Sequence, residues 1–217
     1  MSAPTSSSAD VRMLPATRTI EPSILYFGTP VALVTTGNRD GTPNIGPISS
    51  AWALGWTLVI GLIESAQTLL NLQREGECVV NLASDDLWER VERLAPLTGN
   101  RDMPPFKARQ YRFCADKFAA GGFTPVRSEL VKPPRIAECG LQLEALARAF
   151  HPVGNGDPRL TVRAFAVELE VVRVHVHARL IEGERHIRPA DWRPLIYNFR
   201  HYYGLGHRRG KTFKAEV

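Results

Sequence analysis

The sequence predicts a β-rich α+β domain, a closed or partly closed barrel with helical insertions in preference to a doubly wound sheet. Three observations carry this. Short β-branched apolar runs recur at residues 31–36, 56–62 and 78–82, bounded by Gly, Pro or polar turns. A longer β-branched run at residues 164–179 reads as sheet throughout. The helical patterns cross over between strands at irregular intervals and do not alternate with them one for one.

The elements follow in order. The strand at 31–36 runs between Pro30 and Gly37 and into Asn38-Arg39-Asp40-Gly41, where Gly supplies the positive φ of a primed hairpin turn. A segment of small and hydroxyl residues follows, Asn44 to Trp52, and then the strand at 56–62. Ser65 is placed to cap a helix over 66–75, which Gly76 terminates. After the strand at 78–82, Ser84-Asp85-Asp86 caps a second helix through Leu94, with acids in its first turn where the macrodipole favours them. Residues 96–106 dissolve into Gly, Asn and Pro, a loop long enough to be either disordered or functional. Residues 116–120 form a helical turn that Gly121-Gly122 ends, whereas residues 141–150 fit a helix about as well as a strand. In the last long strand Val172, Val174 and Val176 form the expected core face, with Arg173, His175 and His177 opposite.

The 217 residues fit one domain with room for a core, and 44% hydrophobic with 23% charged residues is the composition of a soluble globular chain. No apolar run approaches the roughly 18–20 residues that cross a bilayer. Residues 1–10 lack the basic start and apolar centre of a secretory signal, and residues 1–20 read as a disordered tail ahead of a domain at 21–200. Cys78, Cys114 and Cys139 have no paired spacing, which suits a reducing cytoplasm and suggests no metal site. The net charge of +5 is uneven: Arg200, Arg208, Arg209, Lys211 and Lys214 crowd a basic C-terminal segment at 201–217 and its border. That segment reads as a solvated tail or as an anion-binding element; nucleic-acid binding is disfavoured because no reading module accompanies it. Arg173 on the histidine face argues against a metal pair there. The chain has no G-x-S-x-G elbow and no P-loop, and Gly204-Leu205-Gly206 neither follows a strand nor opens a helix as a dinucleotide fingerprint must.

Small polar residues between strong strands let rigidly held backbone amides approach a ligand closely. The chain here resembles the flavin reductase-like, FMN-binding split-barrel family. The resemblance rests on the strand at 31–36, Asp40-Gly41, Asn44-Ile45-Gly46-Pro47-Ile48-Ser49-Ser50, Thr68-Leu69-Leu70-Asn71-Leu72 and Cys78-Val79-Val80-Asn81-Leu82. Lys117-Phe118, Gly122-Phe123-Thr124-Pro125 and Pro134-Arg135-Ile136-Ala137-Glu138-Cys139 resemble the family's middle signature, so that order and spacing agree over residues 24–200.

The resemblance implies a split β-barrel homodimer that binds FMN or FAD and takes electrons from NADH or NADPH as a flavin reductase. A flavin-dependent oxygenase and a non-catalytic electron carrier are the alternatives. It places ring contacts on Asn44, Gly46, Ile48, Ser49, Ser50 and Ala51, with Trp52 as a wall. Ser65 and Thr68 open the helix whose free amides favour a phosphate, with Gln67 and Asn71 as helpers; ordinary N-capping competes for the same amides. Lys117 would face the ring, where reduction develops negative charge, or lie on the surface. Many relatives carry a basic residue and an acid where this chain has Ala66-Gln67, and a Gly-x-His where it has Gly154-Asn155-Gly156. Trp192 to Ile196 and Tyr202-Tyr203-Gly204 resemble the C-terminal segment of a subset of the family, covering the site or the partner subunit, or packing on the barrel. No catalytic side chain is singled out, because the flavin would carry the chemistry.

Overall fold

The computed structural model describes residues 15–213. Most of the expected N-terminal tail, and Lys214 of the basic segment, lie outside the described residues; residues 15–20 are exposed and carry no regular secondary structure. The strands begin with β1 (Phe27–Pro30), β2 (Ala32–Gly37), β3 (Pro43–Ile48), β4 (Ala51–Leu54), β5 (Thr57–Ile63) and β6 (Glu77–Leu82). Four two-residue strands follow: β7 (Leu97–Thr98), β8 (Arg112–Phe113), β9 (Pro125–Val126) and β10 (Arg135–Ile136). Then come the long pair β11 (Leu141–Val153) and β12 (Ala164–Val176). Two small hairpins end the chain, β13 (Ile181–Glu182) with β14 (His186–Ile187), and β15 (Ile196–Asn198) with β16 (His201–Tyr203). Four helices punctuate them: α1 (Gln67–Glu75), α2 (Trp88–Leu94), α3 (Pro105–Ala108) and α4 (Lys117–Gly121).

The main sheet has seven antiparallel strands in the order β3-β2-β6-β11-β12-β5-β4. Its two edges are neighbours in sequence. Laid flat, six strand spacings would separate β3 from β4 by about 29 Å. Only Ser49-Ser50 join them, and three peptide steps span at most about 11 Å. The sheet therefore curls until its edges approach, and the open seam falls at Ser49-Ser50. This is a split barrel: curled, and not closed by hydrogen bonds. A second sheet, β1-β15-β16, brings the chain's end back beside Tyr26, where Phe199 N–H donates to the Tyr26 carbonyl at 2.7 Å.

Both faces of the curled sheet are covered. Along β2, Ala32 and Val34 enter one core with Ile60, Leu69, Val80, Val167 and Leu169. Leu33 enters the other, with Ile45, Val91, Leu94, Phe118 and Ile136. That double burial explains why residues 31–36 are apolar without alternation.

A hairpin turn forms at 38–41, with Gly41 at φ +82° and its N–H donating to the Asn38 carbonyl at 3.0 Å. It is not the expected primed turn: its central residues Arg39 and Asp40 have no positive φ, which falls on the glycine after them. Asp116 caps α4 by accepting from Ala119 N–H at 2.9 Å, and Gly122 ends it at φ +71°. Residues 141–150 are strand, the inner half of the long β11. Three further expectations need correction. Ser65 does not cap α1: the N-cap is Ala66, one residue on, so the serine hydroxyl is out of register and stays buried without a partner. The second helix breaks into a 3-10 turn at Asp85–Leu87 followed by α2, and Ser84 donates to Asp86 at 2.5 Å instead of accepting a cap bond. In β12 the buried residues are Val167, Leu169 and Val171, ahead of the expected Val172, Val174 and Val176, which are half-buried; of these, Val174 packs against the same core opposite Leu143. A bulge pairs Glu144 with Arg173 and Ala145 with Val171, leaving Val172 as the extra residue, so the core face passes from odd-numbered to even-numbered residues there, with Arg173 and His175 opposite.

Candidate functional site

A cleft of about 400 Å³ opens at the seam of the barrel, between β3, the Ser49-Ser50 link, the end of β5 and the first turn of α1. Asn44, Gly46, Ile48, Ser49, Ser50, Gln67, Thr68 and Lys117 all line it. Glycines at two points allow the walls to meet. A Cβ at Gly46 would collide with Thr68 Oγ1, and one at Gly61 would lie 2.8 Å from Ser50 Cβ. Gly61 N–H donates to the Ser50 carbonyl at 2.8 Å, and the Ser50 hydroxyl pairs with Tyr26 Oη at 2.8 Å, which fixes the link against both sheets.

Asn44 is 2% exposed and incompletely bonded. Its Nδ2 reaches Thr36 Oγ1 at 3.4 Å and Thr68 Oγ1 at 3.3 Å, both long, and its Oδ1 has no partner. An unpaired buried acceptor is costly, and this one packs against Gly99, where a Cβ would meet it. Gln67 Nε2 donates to Asn71 Oδ1 at 2.8 Å, and Asn71 Nδ2 donates to Thr36 Oγ1 at 3.0 Å and Asn38 Oδ1 at 2.9 Å. Asn71 thus stands behind the cleft and positions Gln67. No side chain caps the first turn of α1.

Two lysines dominate the electrostatics. Lys117, 4% exposed, donates from Nζ to the Ile45 carbonyl at 2.8 Å; Lys107, 7% exposed, donates to the Ser65 carbonyl at 2.9 Å. Neither has a carboxylate partner among the described residues. Burial pushes the Lys117 ammonium down to about 8, with Cys114 opposing and Lys107 adding to the shift. Burial likewise lowers Lys107. The far wall is aromatic: Tyr26 meets Tyr197 edge-on with ring centres 5.6 Å apart, and Tyr197 meets Tyr202 at 5.8 Å. Tyr202 donates to Glu92 at 3.1 Å, and burial together with that carboxylate raises its phenol.

The remaining sequence candidates fall outside the lining. Ala51 pairs with Ile60 and packs against the inner core, and Trp52 is 59% exposed on edge strand β4. The strand turns Trp52 outward once Ser50 is held against Gly61. Ser65 contributes only its carbonyl, through Lys107, and Asn71 acts through Gln67. His175 and His177 are used separately, on Glu144 and on the Ala137 carbonyl. Sequence reasoning missed Lys107, Tyr26 and Tyr197; of the tyrosine wall it had flagged only Tyr202, in the stretch expected to cover the site or pack on the barrel. Lys107 follows directly on the loop flagged as functional or disordered; nothing in its own neighbourhood announces burial. No helix among the described residues is long and apolar enough to cross a membrane.

A curled antiparallel sheet split at a small-residue link is a split-barrel architecture. The family model described as "Flavin reductase like domain" matches residues 24–206, and the chain belongs to that family. It is 42% identical to the uncharacterized protein YdfE of Bacillus subtilis (strain 168) over 199 residues, 91% of this chain and 94% of that protein. Flavoredoxin of Desulfovibrio vulgaris (Miyazaki F) shares the fold with a TM-score of 0.73 at 21% identity, covering 92% of this chain and 99% of its own. Nitrilotriacetate monooxygenase component B from Bacillus cereus does so with a TM-score of 0.72 at 20% identity, covering 91% and 100%.

Proposed function

We propose that the protein is an FMN-dependent oxidoreductase, a flavin reductase that accepts hydride from NADH or NADPH in the cleft at the barrel seam. The observation that carries this is the pair of buried lysines, without carboxylate partners among the described residues, that line one cleft. A buried ammonium without an anion is unfavourable, and two of them in one cleft are explained by an anionic ligand. The flavin phosphate meets the need for an anion. At about 400 Å³ the cleft lies near the lower end of ligand pockets, roughly 300–1,000 Å³, which favours the mononucleotide over FAD.

Lys107 and the uncapped first turn of α1, with Thr68 and Gln67, would hold the phosphate. Asn44, Gly46, Ser49 and Ser50 would border the ring, and Lys117 would bring positive charge to its edge. The tyrosine wall excludes water from that face. When bound, the flavin supplies the redox chemistry itself, accepting hydride at N5 and passing electrons on. Three free cysteines accord with a reducing cytoplasm, and a homodimer accords with the family likeness.

The test is an absorbance scan after incubation with FMN and desalting, followed by anaerobic NADH or NADPH on the same sample. Flavin bands that survive desalting and bleach with a nicotinamide are expected. A protein that retains no flavin and turns over no free FMN with either donor overturns the proposal.

A further inference from the structure

Asp40, on the turn between β2 and β3, lies outside the lining of the seam cleft, yet a chain of side-chain hydrogen bonds joins it to Gln67, which lines that cleft. Thr42 Oγ1 donates to Asp40 Oδ1 at 2.6 Å, and Asn38 Nδ2 donates to Thr42 Oγ1 at 3.1 Å. Asn71 Nδ2 donates to Asn38 Oδ1 at 2.9 Å, and Gln67 Nε2 donates to Asn71 Oδ1 at 2.8 Å. Every donor in this relay points toward the carboxylate.

The direction is forced from the carboxylate end. The Thr42 hydroxyl, and then its N–H, donate to Asp40 and hold its carboxyl below the ordinary range, so at neutral pH it is ionised and can only accept. Having given its proton to Asp40, the Thr42 hydroxyl accepts from Asn38, which turns the Asn38 nitrogen to Thr42 and its oxygen to Asn71. Asn71 must then face Asn38 with nitrogen and Gln67 with oxygen. It is 0% exposed, where a reversed amide would set like atoms against each other without water to separate them. Gln67 is the last member. Its nitrogen faces Asn71, which turns its oxygen the other way, and Oε1 has no hydrogen bond among the described residues.

We infer that Gln67 selects a hydroxyl donor on the ligand, a hydroxyl of the chain that links a flavin ring to its phosphate, and that Asp40 sets this preference from the β2–β3 turn by fixing the direction of the relay. The identity of the ligand rests on the flavin reading; the direction of the relay does not. An amide oxygen repels a phosphate, so the phosphate is left to the uncapped first turn of α1 and to Lys107, with the hydroxyl beside it. Gln67 determines specificity in this scheme, and Asn71, Asn38, Thr42 and Asp40 are positioning residues that act through it.

The test is fluorescence titration of the full chain with FMN and with an analogue whose side chain is a plain phosphopentyl, ring and phosphate intact and the chain hydroxyls gone. Wild type is expected to prefer FMN, and Gln67→Met to reduce that preference about threefold to tenfold, the loss of one hydrogen bond. Asp40→Ala, on an exposed turn, is expected to reduce it too, because the freed Thr42 hydroxyl lets the relay run either way. Asp40→Asn, whose Oδ1 still accepts, is expected to keep it. In the Gln67→Met background Asp40→Ala is expected to add nothing. A preference untouched by Gln67→Met or by Asp40→Ala overturns the inference. The relay is also read without flavin, by NMR hydrogen exchange of the side-chain amides. Gln67 is expected to exchange more slowly than the exposed Gln73 and Gln110, and to lose that protection in Asp40→Ala. Exchange as fast as theirs in wild type overturns the relay. Slow exchange in a protein that binds neither flavin overturns the ligand named here together with the flavin reading, and leaves the relay standing.

Discussion

Two buried ionic sites in this molecule are solved in opposite ways. Glu144, 0% exposed at the start of β11, accepts from the backbone N–H groups of Glu129, Leu130 and Val131 at 2.8, 2.6 and 3.1 Å, and from His175 Nε2 at 2.7 Å. Burial works to raise its pKa, yet these four donors outweigh it and hold the carboxyl below its ordinary value. At the seam, Lys107 and Lys117 are nearly as buried, but each shows one bond to a backbone carbonyl and no anion. A buried charge whose partners all come from the same fold is structural. One that lacks counter-charge beside a cleft is reserved for something that enters. The difference lies in what surrounds the charge, since burial alone is common to both.

The sharpest way to break this comparison is to remove Glu144. Glu144→Ala leaves three backbone N–H groups, that of Val131 buried, and a histidine without an acceptor, a change that costs about 3 kcal/mol. For a chain of this size that lowers the melting temperature by roughly 10 °C. FMN affinity, measured by fluorescence titration well below the transition, is expected to stay within about twofold. A folded Glu144→Ala protein that no longer binds FMN would place the glutamate in the site. Lys117→Met should do the reverse. Loss of a charged contact weakens FMN binding by about 2 kcal/mol, roughly 30-fold. Melting of the ligand-free protein is expected not to fall, because a buried unpaired charge is replaced by a flexible apolar chain. A large drop in the ligand-free melting temperature with unchanged FMN affinity would make Lys117 a structural residue like Glu144.

What the sequence revealed divides along similar lines. The core strand at 31–36, the turn at Gly41 and the cap at Asp116 were readable because their determinants lie within a few residues of one another. So was the gathering of Asn44, Gly46, Ser49 and Ser50, which one short segment delivers together. The odd-numbered core face of β12 ahead of Val172 was not, because the bulge that shifts it to Val174 exists only through pairing with β11 about thirty residues earlier. Nor was the outward turn of Trp52, which depends on how the sheet curls at Ser49-Ser50. Lys107 and Glu144 are charged residues in unremarkable local sequence; their burial is set by the Ser65 carbonyl and by the 129–131 backbone. Local reading found the residues that make the cleft's shape and missed half of its charge.

In both sites stability rises with pH, Glu144 in the acid range and Lys117 in the alkaline range. The reasons are opposite: the first is stabilised as a charge and the second as a neutral group, which gives the gentlest probe of the comparison. For Glu144 the folded pKa is depressed, so its stabilisation is present above the ordinary carboxylate value and fades as the pH falls through the folded one. For Lys117 the folded pKa is about 8 against 10.5 for the free side chain. Between those values the unfolded chain binds more protons than the folded one, so stability of the ligand-free protein rises as the pH rises. From pH 8 to 9 the expected gain from this lysine is about 1 kcal/mol. It is read as the difference between the wild-type and Lys117→Met urea curves, which cancels the titration of other groups. Saturating FMN should shrink that gain, because an anion in the cleft favours the ammonium and lifts its pKa. If the difference is flat with pH in the absence of FMN, Lys117 is not the strained cation that the cleft requires. If it is present and FMN leaves it unchanged, the anion that Lys117 awaits is not the flavin.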